Sequence, residues 1–119
     1  MLMDANQFAD DKGVAAIDKV KVLVSTATSI TYQMTVLDQV VLVTTITSYG
    51  MTITLPPVSA AKGRIYTIRF VTDGTSDLVV QDKNDDAGFT TLTFADAADY
   101  LVLYSDGYKW FTLINNGGS

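Results

Sequence analysis

Apolar and polar residues alternate along most of the chain, which is the pattern of β-strands with one buried face. The run 19–24 places its three valines on one face and its two lysines, Lys19 and Lys21, on the other. The run 39–45, in contrast, is almost continuously apolar, as expected of a strand that is covered on both faces. The pattern therefore predicts strands of both kinds.

Turn residues separate such runs at intervals of about ten residues, which is typical of all-β domains. Asp73 and Gly74 lie between two predicted strands, at 64–71 and 78–80, and Asp106 and Gly107 lie between the last two. Both links are predicted hairpins. About eight strands joined in this way predict an all-β fold, either an antiparallel β-sandwich or a small β-barrel. We find no internal repeat.

The first 18 residues show neither the strand period nor the helix period over any sustained length. They predict an N-terminal arm at 1–18, with a short helix at 5–10, ahead of a single β domain at 19–119. The arm lacks the basic start and long apolar core of a signal peptide, and no apolar run reaches the ~20 residues needed to cross a bilayer. We therefore expect no membrane contact.

Composition supports the β prediction and limits the chemistry. Of 119 residues, 48 are Val, Ile, Thr, Tyr, Phe or Trp, the types that favour strands. With no His and no Cys, the chain has no Ser-His-Asp triad, no thiol nucleophile and none of the usual zinc or haem ligands. We expect no enzyme and no cofactor. The net charge of -5 argues against nucleic acid as a partner.

Only 18% of the residues are charged, which is low for the surface of a soluble monomer. Two interpretations stay open here. Part of the surface is meant for a partner, or the surface is rich in Thr and Ser, as in many β proteins.

Acidic residues, all of them Asp, fall mostly between predicted strands, where Asp bonds to its own backbone. The segment 82–86 resembles a calcium loop, but the EF-hand spacing would require Gly where Ala87 stands and Glu where Thr93 stands. We interpret it as a solvated acidic turn, with an irregular cation site as the alternative. Carboxylate pairs for glycoside hydrolysis, such as Asp73 with Asp77, are disfavoured for the same reason.

Aromatic residues cluster near the last predicted hairpin, among them Tyr104, Tyr108 and Trp110. Flat rings stack on sugars or bases, so these three residues are candidates for a ligand site or a subunit interface. At the strand period about half of the cluster should point into the core, which is the interpretation we favour.

Three motifs occur in a fixed order: Thr-Leu-Pro at 54–56, Lys-Gly-Arg-x-Tyr-x-Ile at 62–68, and Ser-Asp-Gly-x-x-Trp at 105–110. In this order, the region 38–113 resembles a β module of tailed-bacteriophage virion proteins, which occurs in head decoration proteins, head fibres and tail fibres. The resemblance implies a non-enzymatic structural module that is commonly trimeric, and it carries no catalytic residues.

A fibre would add long repetitive segments, which this sequence lacks, so we favour a capsid decoration protein. It would be made in the host cytoplasm and would bind the outer surface of the head as a homotrimer, in contact with the major capsid protein. The expected contact residues are Phe8, Val14, Ile17, Lys19 and Lys21. The alternative is a receptor- or glycan-binding module of a fibre or spike.

Overall fold

The computed structural model describes residues 20–119, which form nine strands in two sheets and contain no helix. The all-β prediction is confirmed for this part of the chain. The predicted arm, its short helix and Lys19 lie outside the described residues. The strands are β1 (Val20–Val24), β2 (Thr31–Gln33), β3 (Val40–Thr44), β4 (Met51–Thr54), β5 (Ile65–Thr72), β6 (Leu78–Gln81), β7 (Leu92–Phe94), β8 (Tyr100–Ser105) and β9 (Trp110–Asn116).

Three stacked coils of the chain form most of the domain. Each coil contributes one strand to a five-stranded sheet, turns a corner, and contributes the next strand to a four-stranded sheet. Strands β1, β3 and β5 are therefore parallel neighbours in the sheet of order β1-β3-β5-β8-β9, and β2, β4 and β6 are parallel neighbours in the sheet of order β2-β4-β6-β7. Strands β7, β8 and β9 then add antiparallel pairs.

This topology corrects three predictions. The sheets are mixed rather than antiparallel, and they do not close into a barrel. The hairpin at Asp73 and Gly74 is wrong because β5 and β6 lie in different sheets. A link that crosses between sheets and a link that makes a hairpin can have the same length and the same turn residues, so the local pattern does not separate them. The hairpin at Asp106 and Gly107 is confirmed, since β8 and β9 are antiparallel.

The first two coils are related by an interval of 20 residues between β1 and β3 and of 21 residues between β2 and β4. The coils therefore repeat in structure, although the sequence shows no internal repeat. The repeat is hidden in the sequence for two reasons. The link from β4 to β5 is longer than the link from β2 to β3, and the matched residues are mostly similar in chemical type without being identical. Ser25 and Thr45, which directly follow β1 and β3, are the clearest matched pair.

The buried hydroxyls of Ser25 and Thr45 each connect one corner to the corner of the next coil. Ser25 Oγ donates to the carbonyl of Tyr49 (2.5 Å) and accepts from the amide of Ile46 (3.0 Å). Thr45 Oγ1 repeats the arrangement one coil later, donating to Ser76 O (2.7 Å) and accepting from Gly74 N (3.1 Å). Each hydroxyl thus provides hydrogen-bond partners for two backbone groups in a corner, where the hydrogen bonds of the sheets do not reach.

Close stacking of the corners also requires a residue without a side chain. A Cβ placed on Gly74 would collide with the backbone of Thr45 and Ile46, although the backbone angles of Gly74 are ordinary for any residue. The glycine is therefore needed for the close approach of two chain segments and not for a special conformation.

The core lies between the two sheets and is continuous across them. Its largest fully buried side chains come from both sheets and include Tyr66 and Phe70 of β5, Leu101 and Leu103 of β8, Met51 and Ile53 of β4, and Phe94 of β7. The tail of the chain closes one side, because Ser119 exchanges two backbone hydrogen bonds with Thr93 on the edge strand β7.

Replacing Thr45 by Val tests the corner hydroxyls. Valine has nearly the same shape, but it leaves the half-buried amide of Gly74 and carbonyl of Ser76 without their hydroxyl partner, so we expect a loss of about 1–3 kcal/mol in the free energy of unfolding. The measurement is urea denaturation followed by circular dichroism.

Thr44→Val is the matched control, because Thr44 is half-buried on the outside of the same strand and its hydroxyl makes no hydrogen bond within residues 20–119. Its effect should stay within about 0.5 kcal/mol. Equal effects of the two substitutions would contradict the role given to the corner hydroxyl.

Candidate functional site

The outer face of the five-stranded sheet is apolar, and no other element of residues 20–119 packs on it. Val22 is 64% exposed, Ile65 is 55% exposed and Val24 is 50% exposed, although all three lie within strands. We call the set of outward aliphatic side chains on this sheet the apolar face. It consists of Val20, Val22, Val24, Val40, Leu42, Ile65, Val71, Val102 and Ile114.

Strand register aligns these side chains in rows across the sheet. One row runs from Val20 through Val40, Thr67 and Val102 to Ile114, and so it crosses all five strands. Cross-strand neighbours in such a row have Cβ atoms about 5 Å apart, so their methyl groups form a continuous surface. The face is therefore one patch and not a set of scattered exposed residues.

The outer face of the four-stranded sheet has the opposite character. Its outward side chains are mainly Thr and Gln: Thr31, Gln33, Thr52, Thr54, Val79, Gln81 and Thr93. Gln81 donates to Thr54 Oγ1 (3.1 Å), and Gln33 donates to the carbonyl of Leu55 (3.0 Å). We call this surface the polar face. It is suited to contact with water, as the apolar face is not.

Only one charged side chain lies among the outward residues of the five-stranded sheet. Arg69 is exposed on the central strand β5, with its guanidinium carbon 5.8 Å from the ring centre of Tyr100. A guanidinium is weakly hydrated and stacks readily on an aromatic ring, so this charge is compatible with a covered surface.

The aromatic residues of the last hairpin lie in three different environments. Trp110 is buried and meets Tyr66 edge to face at 5.8 Å, and its indole N–H has no hydrogen-bond partner within the described residues. Tyr104 is half-buried and stacks on Phe111 at 5.3 Å. Tyr108 is 82% exposed at the tip. Of the three candidate residues, only Tyr108 offers a free ring to a ligand.

Lys21 lies on the inner side of β1, together with the buried Leu23, while the valines of β1 face outward. Its ammonium group is 5.2 Å from the ring centre of Tyr32, whose hydroxyl donates to Asp38 Oδ2 (2.7 Å). Burial, this hydrogen bond and the negative charge of Asp38 raise the pKa of Tyr32 to about 12. The cluster connects β1, β2 and the link that follows β2.

The acidic segment 82–86 is occupied by its own backbone contacts. Asp82 Oδ2 accepts from the amides of Asp85 (3.0 Å) and Asp86 (2.9 Å). Asp86 is buried and accepts from the amides of Gly88 (2.9 Å) and Trp110 (2.8 Å). Within residues 20–119 there is no group of three or more acidic residues placed to hold a metal ion. These carboxylates hold the loop and the start of β9 in place.

Turn contacts also account for the hairpin carboxylate. Asp106 Oδ1 accepts from the amides of Lys109 (2.9 Å) and Tyr108 (2.8 Å), and these bonds lower the pKa of Asp106. Asp73 makes the same kind of contact with Thr75 (2.8 Å). Every Asp in residues 20–119 lies in a link between strands, and none lies in a strand. This placement agrees with the interpretation of the Asp residues as turn formers.

An open hollow of about 290 Å³ lies beside the second and third corners, against the polar face. Its lining includes Tyr49, Met51, Thr52 and Val79, with Asp77 as the one ionisable group apart from the tyrosine. A single exposed carboxylate supplies no acid–base pair, so the hollow has no arrangement for hydrolysis.

Comparisons with known proteins do not assign the chain to a family. The chain matches no protein-family model, no curated protein and no solved structure. In the part of the chain that the structure describes, no helix is long and apolar enough to span a membrane. The functional conclusion therefore depends on the surfaces described above and on the motif order.

Sequence reasoning found the hairpin aromatics but missed the apolar face. The signal was present in two patterns: the alternating valines of β1 and the continuous apolar run of β3. Neither pattern says that the outward residues of separate strands fall into one row, because the row depends on which strands pair.

Asp86→Asn should destabilise the protein without changing its response to calcium. The amide presents a donor where the carboxylate accepted one, so one buried backbone N–H loses its partner, at a cost of about 1–3 kcal/mol. Asp96→Asn, at an exposed position, should have little effect. The measurement is the thermal midpoint with and without added Ca²⁺. A midpoint that rises with Ca²⁺ in the wild type and not in Asp86→Asn would contradict the assignment.

Tyr32 should make stability depend on pH in the alkaline range. Its pKa is raised on folding, so its contribution is complete below about pH 10, the ordinary value, and is lost as the pH rises through about 12. The stability advantage of the wild type over Tyr32→Phe should therefore disappear across this interval, measured by urea denaturation at a series of pH values. An advantage that stays constant would show that the hydroxyl proton is not linked to folding.

Proposed function

We propose that the chain is a structural virion protein, a capsid decoration protein that binds the outer surface of a phage head as a homotrimer, with the major capsid protein as its partner. The observation that carries the proposal is the contrast between the polar face and the apolar face. A domain that is wettable on one side and apolar on the other suits a position in which one side meets solvent and the other is covered.

Two of the three motifs of the resemblance, at 62–68 and 105–110, contact each other, which supports a structural role. The amide of Gly63 donates to Ser105 O (2.7 Å), and the hydroxyl of Ser105 donates to Val58 O (2.6 Å). Trp110 packs against Tyr66 in the same region. The motif residues thus have packing roles in one unit, and a shared ligand site is not needed to explain them.

Contact with the shell is assigned to the end of the domain that carries β1. Strands β1 and β2 each have one neighbour within the described residues, so their other edges carry unpaired backbone groups. Lys21, one of the predicted contact residues, lies in β1 at this end. A capsid surface that pairs with these edges would hold the domain without using either sheet face.

One observation favours the alternative of a receptor- or glycan-binding module. Tyr108 stands at the tip of the β8–β9 hairpin and is 82% exposed, which suits stacking on a sugar ring. The decoration role is preferred because a single exposed ring is a small site, whereas the apolar face spans a whole sheet.

Purified particles of the phage that encodes the chain test the proposal. Mass spectrometry should find the chain in fixed ratio to the major capsid protein, and cryo-electron microscopy should place it on the outer head surface. Absence from the particle, or a position on the tail, would overturn the decoration role. Glycan binding that is lost in Tyr108→Ala, with the fold intact, would support the alternative.

A further inference from the structure

We infer that the apolar face is the surface through which copies of this chain bind one another. The inference rests on the proposed function, because it names the subunit contact of the proposed assembly and separates it from the end that meets the shell. The apolar face is covered by a second copy of the chain.

The composition of β3 provides the first argument. Strands that are covered on both faces have near-continuous apolar sequences. In β3, Val41 and Val43 point into the core, and Val40 and Leu42 point outward. The chain covers only the inner side of this strand within residues 20–119. A strand with this composition is complete only when its outer side is covered as well.

The location of charge provides the second argument. The chain carries a net charge of -5, so two copies repel each other at long range. No Asp lies in any strand of residues 20–119, and the outward residues of the five-stranded sheet carry only Arg69. Copies that meet through this face therefore keep their carboxylates at the rim, where water screens them.

Every copy presents the same face, and this favours self-association over another occupant. The face offers no charge pattern that would select a partner of opposite charge. Arg69 is stacked on Tyr100, and Arg and Tyr are both enriched in the contact regions of protein interfaces. An apolar surface common to all copies can therefore be covered by the same surface of another copy.

The size of the face is adequate for a subunit contact. Five strands about 4.8 Å apart and about five residues long give an in-plane area of about 400 Å². A standard interface buries about 800 Å² of accessible surface per partner, and pleated side chains expose more area than the plane that contains them, so the face would form the centre of such an interface.

Val22→Lys is the test variant, and Thr31→Lys is its matched control. Val22 is the most exposed residue of β1 and lies in the row of Arg69, so a lysine there adds like charge to the face. Thr31 is exposed on the outer side of β2, in the polar face of the same coil. Lysine is used because an acidic residue could pair with the partner's arginine.

Sedimentation velocity and native mass spectrometry of the full chain give the readout. The wild type and Thr31→Lys should form the same oligomer, and Val22→Lys should dissociate with its dissociation constant raised on the order of a hundredfold. Circular dichroism checks that the monomer keeps its β spectrum, which we expect because Val22 makes few contacts within its own chain.

A labelling experiment gives a second, independent measurement. Since the chain has no cysteine, the thiols introduced by Val22→Cys and Thr31→Cys report their own exposure. At concentrations that favour assembly, the thiol at position 22 should react on the order of tenfold more slowly than on dilution, and the thiol at position 31 should react at one rate throughout.

Three results would overturn the inference. A wild type that is monomeric at all concentrations would mean that the arm or the shell covers the face. Assembly of Val22→Lys as tight as that of Thr31→Lys, or equal labelling at the two positions, would place the contact elsewhere. These failures are separate from that of the proposed function, because an oligomer that uses the apolar face but is absent from phage particles would retain this inference and overturn the decoration role.

Discussion

The arrangement of the coils depends on the hydroxyl groups of Ser25 and Thr45, which directly follow β1 and β3 of the five-stranded sheet. Where the chain leaves the five-stranded sheet, a corner residue must satisfy backbone groups that no strand neighbour reaches. Ser25 and Thr45 do this for the following corner, each by one accepted and one donated hydrogen bond. The third coil has no further coil to hold, and Asp73 instead caps its own turn at Thr75. The series of hydrogen-bonded corners therefore ends with the third coil, which contributes the last parallel strand of each sheet.

Stacking coils in this way determines what each sheet presents to its surroundings. Successive strands of one sheet come from successive coils, so every outward position is repeated as a row across the sheet. In the four-stranded sheet the rows hold mainly Thr and Gln, and Gln81 donates to Thr54 Oγ1 in the same row. In the five-stranded sheet the rows hold mainly Val, Leu and Ile. The same topology thus produces one solvated face and one face that requires a cover, and the difference lies only in the residues at alternate positions.

Local patterns predicted the strands well and their partners poorly. The alternation at β4 and the Asp-Gly turn before β9 were sufficient, because both depend on neighbours in sequence. The pairing of β5 with β3 and β8, rather than with β6, depends on buried contacts such as that between Thr45 and Gly74, which are 29 residues apart. The apolar face is a product of that pairing, so the sequence contained its residues but not their common surface. The hairpin aromatics were a local feature and were found, although their burial was decided by the core.

The use of Asp for every acidic residue also follows from the many links between strands. A short carboxylate reaches the backbone amides two or three residues ahead, as Asp106 does at Tyr108 and Lys109, so Asp caps tight links between strands. Nine strands in 100 described residues are joined by eight links, and five of these links contain Asp. Within residues 20–119 the acidic charge is thereby confined to the links, and the strands carry no carboxylate. A chain that needs its negative charge for turns can still offer a sheet face without carboxylates to another copy, since the two requirements fall on different residues.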